Sequence, residues 1–102
     1  MIVEQAILNI KPDQSNAFEE AFKEAQKIIS SMKGYIRHDV LKCIEEKDKY
    51  LLLVAWETLE DHEVGFRKSV AYQDWKKLLH HFYDPFPVVQ HYESVLGASF
   101  VK

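Results

Sequence analysis

The stretch "YLLLVAWE", residues 50–57, is the most apolar part of the chain and constrains its fold most strongly. Side chains alternate between the two faces of a β-strand, and here both faces are apolar. An antiparallel sheet normally leaves one face in water, so a strand of this kind needs two covers. We expect the protein's own helices on one face and a second copy of the chain on the other.

The segments before this strand predict a strand, a helix and a second strand. "IVEQAILNI", residues 2–10, alternates as a strand and is largely apolar on both sides. A helix follows, because apolar residues recur at helical spacing along one stripe. The members of this stripe are Phe18, Phe22, Ala25, Ile29 and Met32. Gly34 suits the end of this helix, and "YIRHDVLKCI" then predicts a strand that begins at about Tyr35.

The segments after "YLLLVAWE" predict helices and a last strand. Thr58 and Asp61 suit the start of a short helix that runs to about Arg67, and Ser69 suits the cap of the next helix. Asp84 and the prolines around it end that helix, and "PVVQHYESV" forms the final strand. The order βαββαβ predicts an α+β, ferredoxin-like fold with an antiparallel sheet, as one domain over residues 1–102.

Composition excludes several classes of protein. Of the 102 residues, 47% are hydrophobic, which suffices for a core, and the net charge is −3 with no basic run. Nucleic-acid binding therefore has no electrostatic support. Cys43 is the only cysteine, and the N-terminus carries neither a signal peptide nor a membrane span, so we expect a cytoplasmic protein.

The stretch "LLHHFYDPFPVVQHYES", residues 78–94, groups histidines around an aspartate and invites a metal-site hypothesis. On a helix each residue turns by about 100°, so His80 and His81 point in different directions. Carrying the rotation forward from the apolar face places both on the solvent side. We therefore interpret His80, His81 and Asp84 as a solvated helix end and predict no metal site.

Two other histidines remain candidates for chemistry. Strand alternation places His91 on a face with Val89 and Glu93, and it places His38 on a face with Val40. A histidine on an apolar strand face is often a hydrogen-bonded core residue, and it is otherwise suited to acid–base catalysis. Both interpretations stay open for His38 and His91.

Aromatic residues are concentrated in the second half of the chain. They either fill the core or line an apolar cavity between the helices and the sheet. The candidates are Trp56, Phe66, Tyr72, Trp75, Phe82, Tyr83 and Phe86. No glycine-rich phosphate loop, serine-hydrolase elbow or HExxH motif is present, so a nucleotide enzyme is not expected.

Three segments carry a resemblance to a known family: "GYIRHDVLKC", "YLLLVAWET" and "FRKSVAYQDWKKLLHHFYDPFPVVQHYE". In them the sequence resembles the antibiotic biosynthesis monooxygenase family of dimeric α/β-barrel proteins. The resemblance implies a homodimer formed through the sheet face and a pocket between the helices and the sheet of each subunit. It also implies a monooxygenase that oxidises a small phenol- or quinol-type aromatic with dioxygen and without metal, flavin or haem.

From the resemblance and the patterns together, we predict six site residues. His91, His38 and Tyr72 are the candidates for catalytic polar roles, and Trp56, Phe66 and Trp75 are the candidates for the substrate-binding wall. One alternative is a non-catalytic or stress-related module that binds a small molecule in the same pocket.

A second alternative is haem handling, which the same fold also supports. The resemblance to haem-degrading relatives implies a tryptophan where this chain has Phe66 and an asparagine roughly where it has Gln5. The position of the haem-ligand histidine in those relatives is occupied here by the neighbourhood of Trp75 and Lys76, and no histidine of this chain falls clearly on it. These mismatches disfavour haem degradation.

Overall fold

The computed structural model of the protein describes residues 1–97 and confirms the predicted α+β, ferredoxin-like fold. The elements are β1 Ile2–Asn9, α1 Ser15–Ile29, β2 Tyr35–Lys42, β3 Lys49–Trp56, α2 Ala71–Leu79 and β4 Val89–Tyr92. A π-helical turn, Asp61–Phe66, lies between β3 and α2, and a 3₁₀ turn, His80–Phe82, continues α2.

The strands form one antiparallel sheet in the order β2-β3-β1-β4. Glu4 in the middle of β1 lies opposite Val54 on β3 and opposite His91 on β4. The first and last strands of the order are edges, so the sheet does not close within the described part of one chain. The register places the carboxyl of Glu4 and the imidazole of His91 on the same face.

The two helices cover that face and form the core with it. The predicted stripe on α1 is confirmed for Phe18, Phe22, Ala25 and Ile29, which are all buried. The covered face of the sheet contributes buried residues at alternate positions, namely Glu4, Ala6 and Leu8 of β1 and Tyr50, Leu52, Val54 and Trp56 of β3, and the small Ala55 on the other face of β3 is buried as well. This alternation is what a half-covered antiparallel sheet requires.

The opposite face of the sheet is open and partly apolar. Leu51 and Leu53 of β3 are half-buried, while Ile7 and Leu41 are 42% and 44% exposed. No helix among residues 1–97 covers this face. The second cover that β3 was predicted to need is therefore absent from the described part of a single chain.

Two strands differ from the sequence prediction. The pairing of β2 with β3 skips Ile36, because Tyr35 pairs with Trp56 and Arg37 with the next residue along β3. This extra residue in β2 brings Tyr35 onto the face of His38. The last strand ends at Tyr92 rather than at Val95, so Glu93 does not share a strand face with His91. Pairing with β1 extends only from Val89 to Tyr92, which sets this limit.

The chain was predicted to have no membrane span. Among residues 1–97, none of the helices combines the length and the apolar character needed to cross a bilayer.

Candidate active site

A cavity of about 300 Å³ lies between the helices and the covered face of the sheet. Its size is at the lower end of the roughly 300–1,000 Å³ typical of small-molecule sites, which favours a ligand of one or two rings. Mostly apolar and aromatic residues line it, together with a few polar groups. The polar and aromatic lining comprises Glu4, His62, Phe66, Arg67, Tyr72, Trp75, His80, Tyr83 and Phe86.

The most unusual group in the cavity is the buried carboxyl of Glu4. Its Oε1 accepts a hydrogen bond from Trp56 Nε1 at 3.0 Å and lies 3.2 Å from His62 Nε2. Its Oε2 has no partner within residues 1–97, and Glu4 lines the cavity. One carboxylate oxygen is thus held by the protein, and the other is available to a ligand.

Burial sets the charge of this carboxyl. Removal from water raises the pKa of Glu4 from 4.5 to about 7, although the hydrogen bond from Trp56 and the positive charge of Arg67 oppose the rise. Protonated and ionised Glu4 are therefore both populated near neutral pH. A general base works best when its pKa is close to the working pH.

His62 lies beside Glu4 because the π-helical turn is packed tightly against the start of β2. Gly34 has a φ of +84°, and a Cβ at this position would lie 2.1 Å from the Asp61 carboxylate. Thr58 Oγ1 accepts a hydrogen bond from the Asp61 N–H at 3.1 Å, which begins the turn as predicted. These contacts place the ring of His62 against Trp56, with centroids 5.4 Å apart.

The contact of 3.2 Å between His62 Nε2 and Glu4 Oε1 joins two groups whose charged forms burial disfavours. Burial, aided by the charges of Arg67 and His91, lowers the pKa of His62 from 6.5 to about 3. Both groups thus shift toward their uncharged forms, so desolvation outweighs their mutual attraction. At neutral pH His62 carries one ring proton, and its second nitrogen, Nδ1, lies 2.8 Å from His91 Nε2.

Three aromatic side chains form the wall of the cavity. Phe66 meets Tyr72 and Trp75 edge to face, with centroids 5.1 and 5.4 Å apart. These contacts fix the rings at right angles, so a flat ligand can stack on one ring and meet the edge of another. Phe66, Tyr72 and Trp75 were all predicted site residues, and the structure brings the three together.

A cationic group stands at the mouth of the cavity. Arg67 lines the cavity and is exposed, and it forms no ion pair with any of residues 1–97. Its charge lowers the pKa of both Glu4 and Tyr72, although burial is the larger effect and leaves both values raised. The positive charge is therefore positioned to stabilise an anion inside the cavity.

The other three predicted residues lie outside the cavity lining. Trp56 is fully buried beneath the site, where its N–H holds Glu4. His91 reaches the site only through His62. His38 lies near the edge of the sheet, where its ring nitrogens contact Tyr35 and Gln26 at 2.5 and 3.0 Å and burial lowers its pKa.

His80 was predicted to face solvent, and this prediction is wrong. The chain tightens from α2 into the 3₁₀ turn at His80, which changes the direction of its side chain. The ring then lines the cavity and lies 4.9 Å from Phe86. His81 is exposed, as predicted. No group of three ligating side chains within residues 1–97 could hold a metal ion.

Two important site residues, Glu4 and His62, were not among the predicted ones. A signal for Glu4 was present in the sequence, because it is the only charged residue on a strand face shared with Ile2, Ala6 and Leu8. His62 carried no signal of this kind, since it lies in a short turn whose partners are distant in sequence.

Replacing the tryptophan below Glu4 tests its role as a hydrogen-bond donor. Trp56→Phe is expected to lower the free energy of unfolding by about 1–3 kcal/mol more than Trp75→Phe, because a buried acceptor loses its partner. Trp75 is the matched control, since it is 5% exposed and its N–H has no hydrogen-bond partner within residues 1–97. Urea unfolding above pH 7 measures the difference, and equal losses would contradict the assigned contact.

Comparison with known proteins assigns the chain to a class and then to a family. The fold and the site define an α+β, ferredoxin-like protein with a buried carboxyl in an aromatic cavity. The family model for antibiotic biosynthesis monooxygenases matches residues 1–78. The chain belongs to the antibiotic biosynthesis monooxygenase family.

Individual similar proteins include one relative by sequence and two solved structures. The chain is 59% identical over 95 residues to the uncharacterised protein YczJ of Bacillus subtilis (strain 168), covering 93% of this chain and all of YczJ. A crystal structure of a putative antibiotic biosynthesis monooxygenase from Bordetella bronchiseptica is 32% identical, with a TM-score of 0.89 over 93% of this chain and 97% of that one. SnoaB, a cofactor-independent oxygenase from Streptomyces nogalater, shares the fold at 11% identity, with a TM-score of 0.72 over 99% of this chain and 97% of its own.

Proposed function

We propose that this protein is a cofactor-independent monooxygenase that oxidises a small phenol or quinol with dioxygen inside the aromatic cavity. The observation that carries the proposal is the carboxyl of Glu4, which lines the cavity with one free oxygen and has a pKa of about 7. Family membership supports monooxygenase chemistry in general. SnoaB, which has the same fold, is described as a cofactor-independent oxygenase.

Glu4 acts as the general base in the proposed mechanism. A phenol ionises near pKa ~10, about 3 units above Glu4, so the transfer of its proton costs about 4 kcal/mol without further help. The positive charge of Arg67 at the cavity mouth reduces this cost, because it stabilises the phenolate. Phe66 and Trp75 hold the ring in place, and Tyr72 offers a hydroxyl for orientation.

The phenolate then supplies the electrons that dioxygen needs. A carbon–oxygen bond forms at a ring carbon that carries a hydrogen, ortho or para to the phenolate oxygen, and the distal oxygen of the resulting peroxide accepts a proton. Loss of the ring hydrogen as a proton and cleavage of the oxygen–oxygen bond give the quinone and water. One atom of dioxygen enters the product and the other enters water, so no external reductant is required.

The other predicted residues have supporting roles in this proposal. Trp56 positions Glu4, His91 acts through His62, and His38 links β2 to α1 through Gln26. The whole chain, residues 1–102, acts as one domain, and its single cysteine fits a cytoplasmic setting.

Oxygen uptake tests the proposed activity. We expect uptake of one dioxygen per quinone formed when the protein is mixed with a panel of phenols, hydroquinones and naphthols, at a rate above spontaneous oxidation. Stabilisation of the protein by these compounds with no product would contradict the enzyme and favour a binding module. A Soret shift on titration with haem would instead favour haem handling.

We also propose that the protein is a homodimer formed through the open face of the sheet. Half-buried Leu53 and exposed Tyr92 lie on this face, and Val95 and Leu96 beside it are 86% and 92% exposed. A second copy would cover these apolar groups and provide β3 with its second cover.

Leu53→Glu is expected to weaken the dimer. A two-fold interface places the new charge at both copies, and burying it costs about 3 kcal/mol or more. Such a cost raises the Kd by at least about a hundredfold. Sedimentation at micromolar concentration is expected to give dimers for the wild type and for Val70→Glu, a control at an exposed apolar residue away from the sheet. A monomeric wild type would contradict the dimer.

A further inference from the structure

We propose that Glu4, His62, His91 and Glu63 form a proton relay that connects the buried base with solvent while a ligand fills the cavity. The inference rests on the proposed role of Glu4 as a base, and it assigns a route by which protonated Glu4 releases its proton to solvent and becomes the base. Successive contacts measure 3.2 Å from Glu4 to His62, 2.8 Å from His62 to His91 and 3.8 Å from His91 to Glu63.

The four side chains lead outward from the core to the surface. Side-chain exposure is 6% for Glu4, 3% for His62, 19% for His91 and 47% for Glu63. Three elements contribute to the path. Glu4 lies on β1, His62 and Glu63 lie on the π-helical turn, and His91 lies on β4. A ligand seated against Glu4 leaves this path open, because His91 and Glu63 lie outside the cavity lining.

The atoms that meet along this path are those that a relay needs. His62 presents Nε2 to Glu4 and Nδ1 to His91, and His91 presents Nε2 to His62 and Nδ1 to Glu63. A neutral imidazole donates from one nitrogen and accepts at the other. Each ring can therefore take a proton on one side and release its own proton on the other.

One passage moves one proton and leaves no ring doubly protonated. Protonated Glu4 donates to His62 Nε2, the proton on His62 Nδ1 passes to His91 Nε2, and the proton on His91 Nδ1 passes to water beside Glu63, since 3.8 Å is beyond hydrogen-bond distance. Both rings change from the Nδ1–H to the Nε2–H tautomer. A second outward passage requires both rings to regain the Nδ1–H form, either because the rings rotate or because a proton passes inward along the same path.

Charged and titratable groups on every neighbouring element surround this path. Trp56 on β3 donates to Glu4, and Arg67 at the end of the turn acts on Glu4, His62 and His91. Tyr72 on α2 and Tyr83 after the 3₁₀ turn interact electrostatically with Glu4. Arg67 opposes a positive charge on either ring, which favours transfer between neutral tautomers over a stable imidazolium.

Tautomer measurement tests the relay without any substrate. In protein labelled with nitrogen-15 at histidine, we expect the ring proton of His62 to move from Nδ1 to Nε2 as the pH rises through about 7, where Glu4 ionises. His91 is expected to change with the same midpoint. In Glu4→Gln neither ring is expected to change tautomer there. An unchanged His62 tautomer in the wild type would overturn the relay and would leave the proposed oxidation untouched.

Kinetics provide an independent readout. His91→Gln keeps a polar side chain but cannot pass a proton, so kcat is expected to fall about tenfold, less than the ~10²–10⁴-fold that a base itself contributes. The loss should be larger below the Glu4 midpoint near pH 7 than above it, and added imidazole should reverse it. A loss that is independent of pH and insensitive to imidazole would assign His91 a purely structural role.

Discussion

Glu4→Gln is expected to lower kcat/KM for phenol oxidation by about 10²- to 10⁴-fold, the usual contribution of a positioned base. The amide has the shape of the carboxyl, and its oxygen can still accept the hydrogen bond from Trp56 and lie against His62. The variant is therefore expected to fold and to retain the ligand cavity. Oxygen uptake and quinone formation measure the loss.

A pH series separates loss of the base from general damage. As the pH approaches the phenol pKa of ~10, solvent ionises the substrate, so the rate of Glu4→Gln should recover toward that of the wild type. The control is Glu57→Gln, which changes an exposed glutamate outside the cavity and should leave kcat/KM unchanged. Wild-type rates in Glu4→Gln at neutral pH would contradict the proposed role of this carboxyl.

The second large effect concerns the pH dependence of stability. Glu4 ionises at 4.5 in the unfolded chain and at about 7 in the folded protein. Below pH 4.5 both states hold the proton, so the contribution of Glu4 to stability is fully present. As the pH rises toward 7, the unfolded state loses the proton first, and about 3 kcal/mol of stability is lost relative to Glu4→Gln.

The comparison with Glu4→Gln is necessary because His62 makes the stability of the wild type depend on pH in the opposite direction. Its pKa falls from 6.5 to about 3 on folding, so its contribution is present above 6.5 and is lost as the pH falls. The two effects partly cancel between pH 4.5 and 6.5 in the wild type. Urea unfolding of both proteins across this range measures their difference, and parallel stability curves would contradict the raised pKa of Glu4.

The sequence was sufficient to predict the order of the elements and the stripe of the first helix that packs on the sheet. The apolar run of β3 and the helical spacing of Phe18, Phe22 and Ala25 are local patterns, and local patterns survive folding when burial enforces them. The aromatic wall was predictable for the same reason. Phe66, Tyr72 and Trp75 lie on helical segments whose apolar sides must face the sheet.

The polar part of the site depended on contacts that no local pattern reveals. His91 was expected beside Glu93, but it meets His62, a residue 29 positions away. The sequence does not specify which residue of a short turn lies above which strand residue. His80 was misplaced because a helix that tightens into a 3₁₀ turn no longer follows a constant rotation per residue.

Anaerobic binding of a chromophoric phenol tests the central claim most directly, because it separates deprotonation in the cavity from oxidation. The phenol should have a pKa somewhat above the assay pH and a phenolate with a distinct absorption band. We predict that this band appears when the phenol binds the wild type above pH 7 and that it is absent when the phenol binds Glu4→Gln. Binding to the wild type with no phenolate band, or an equal band in both proteins, would contradict the assignment of Glu4 as the base.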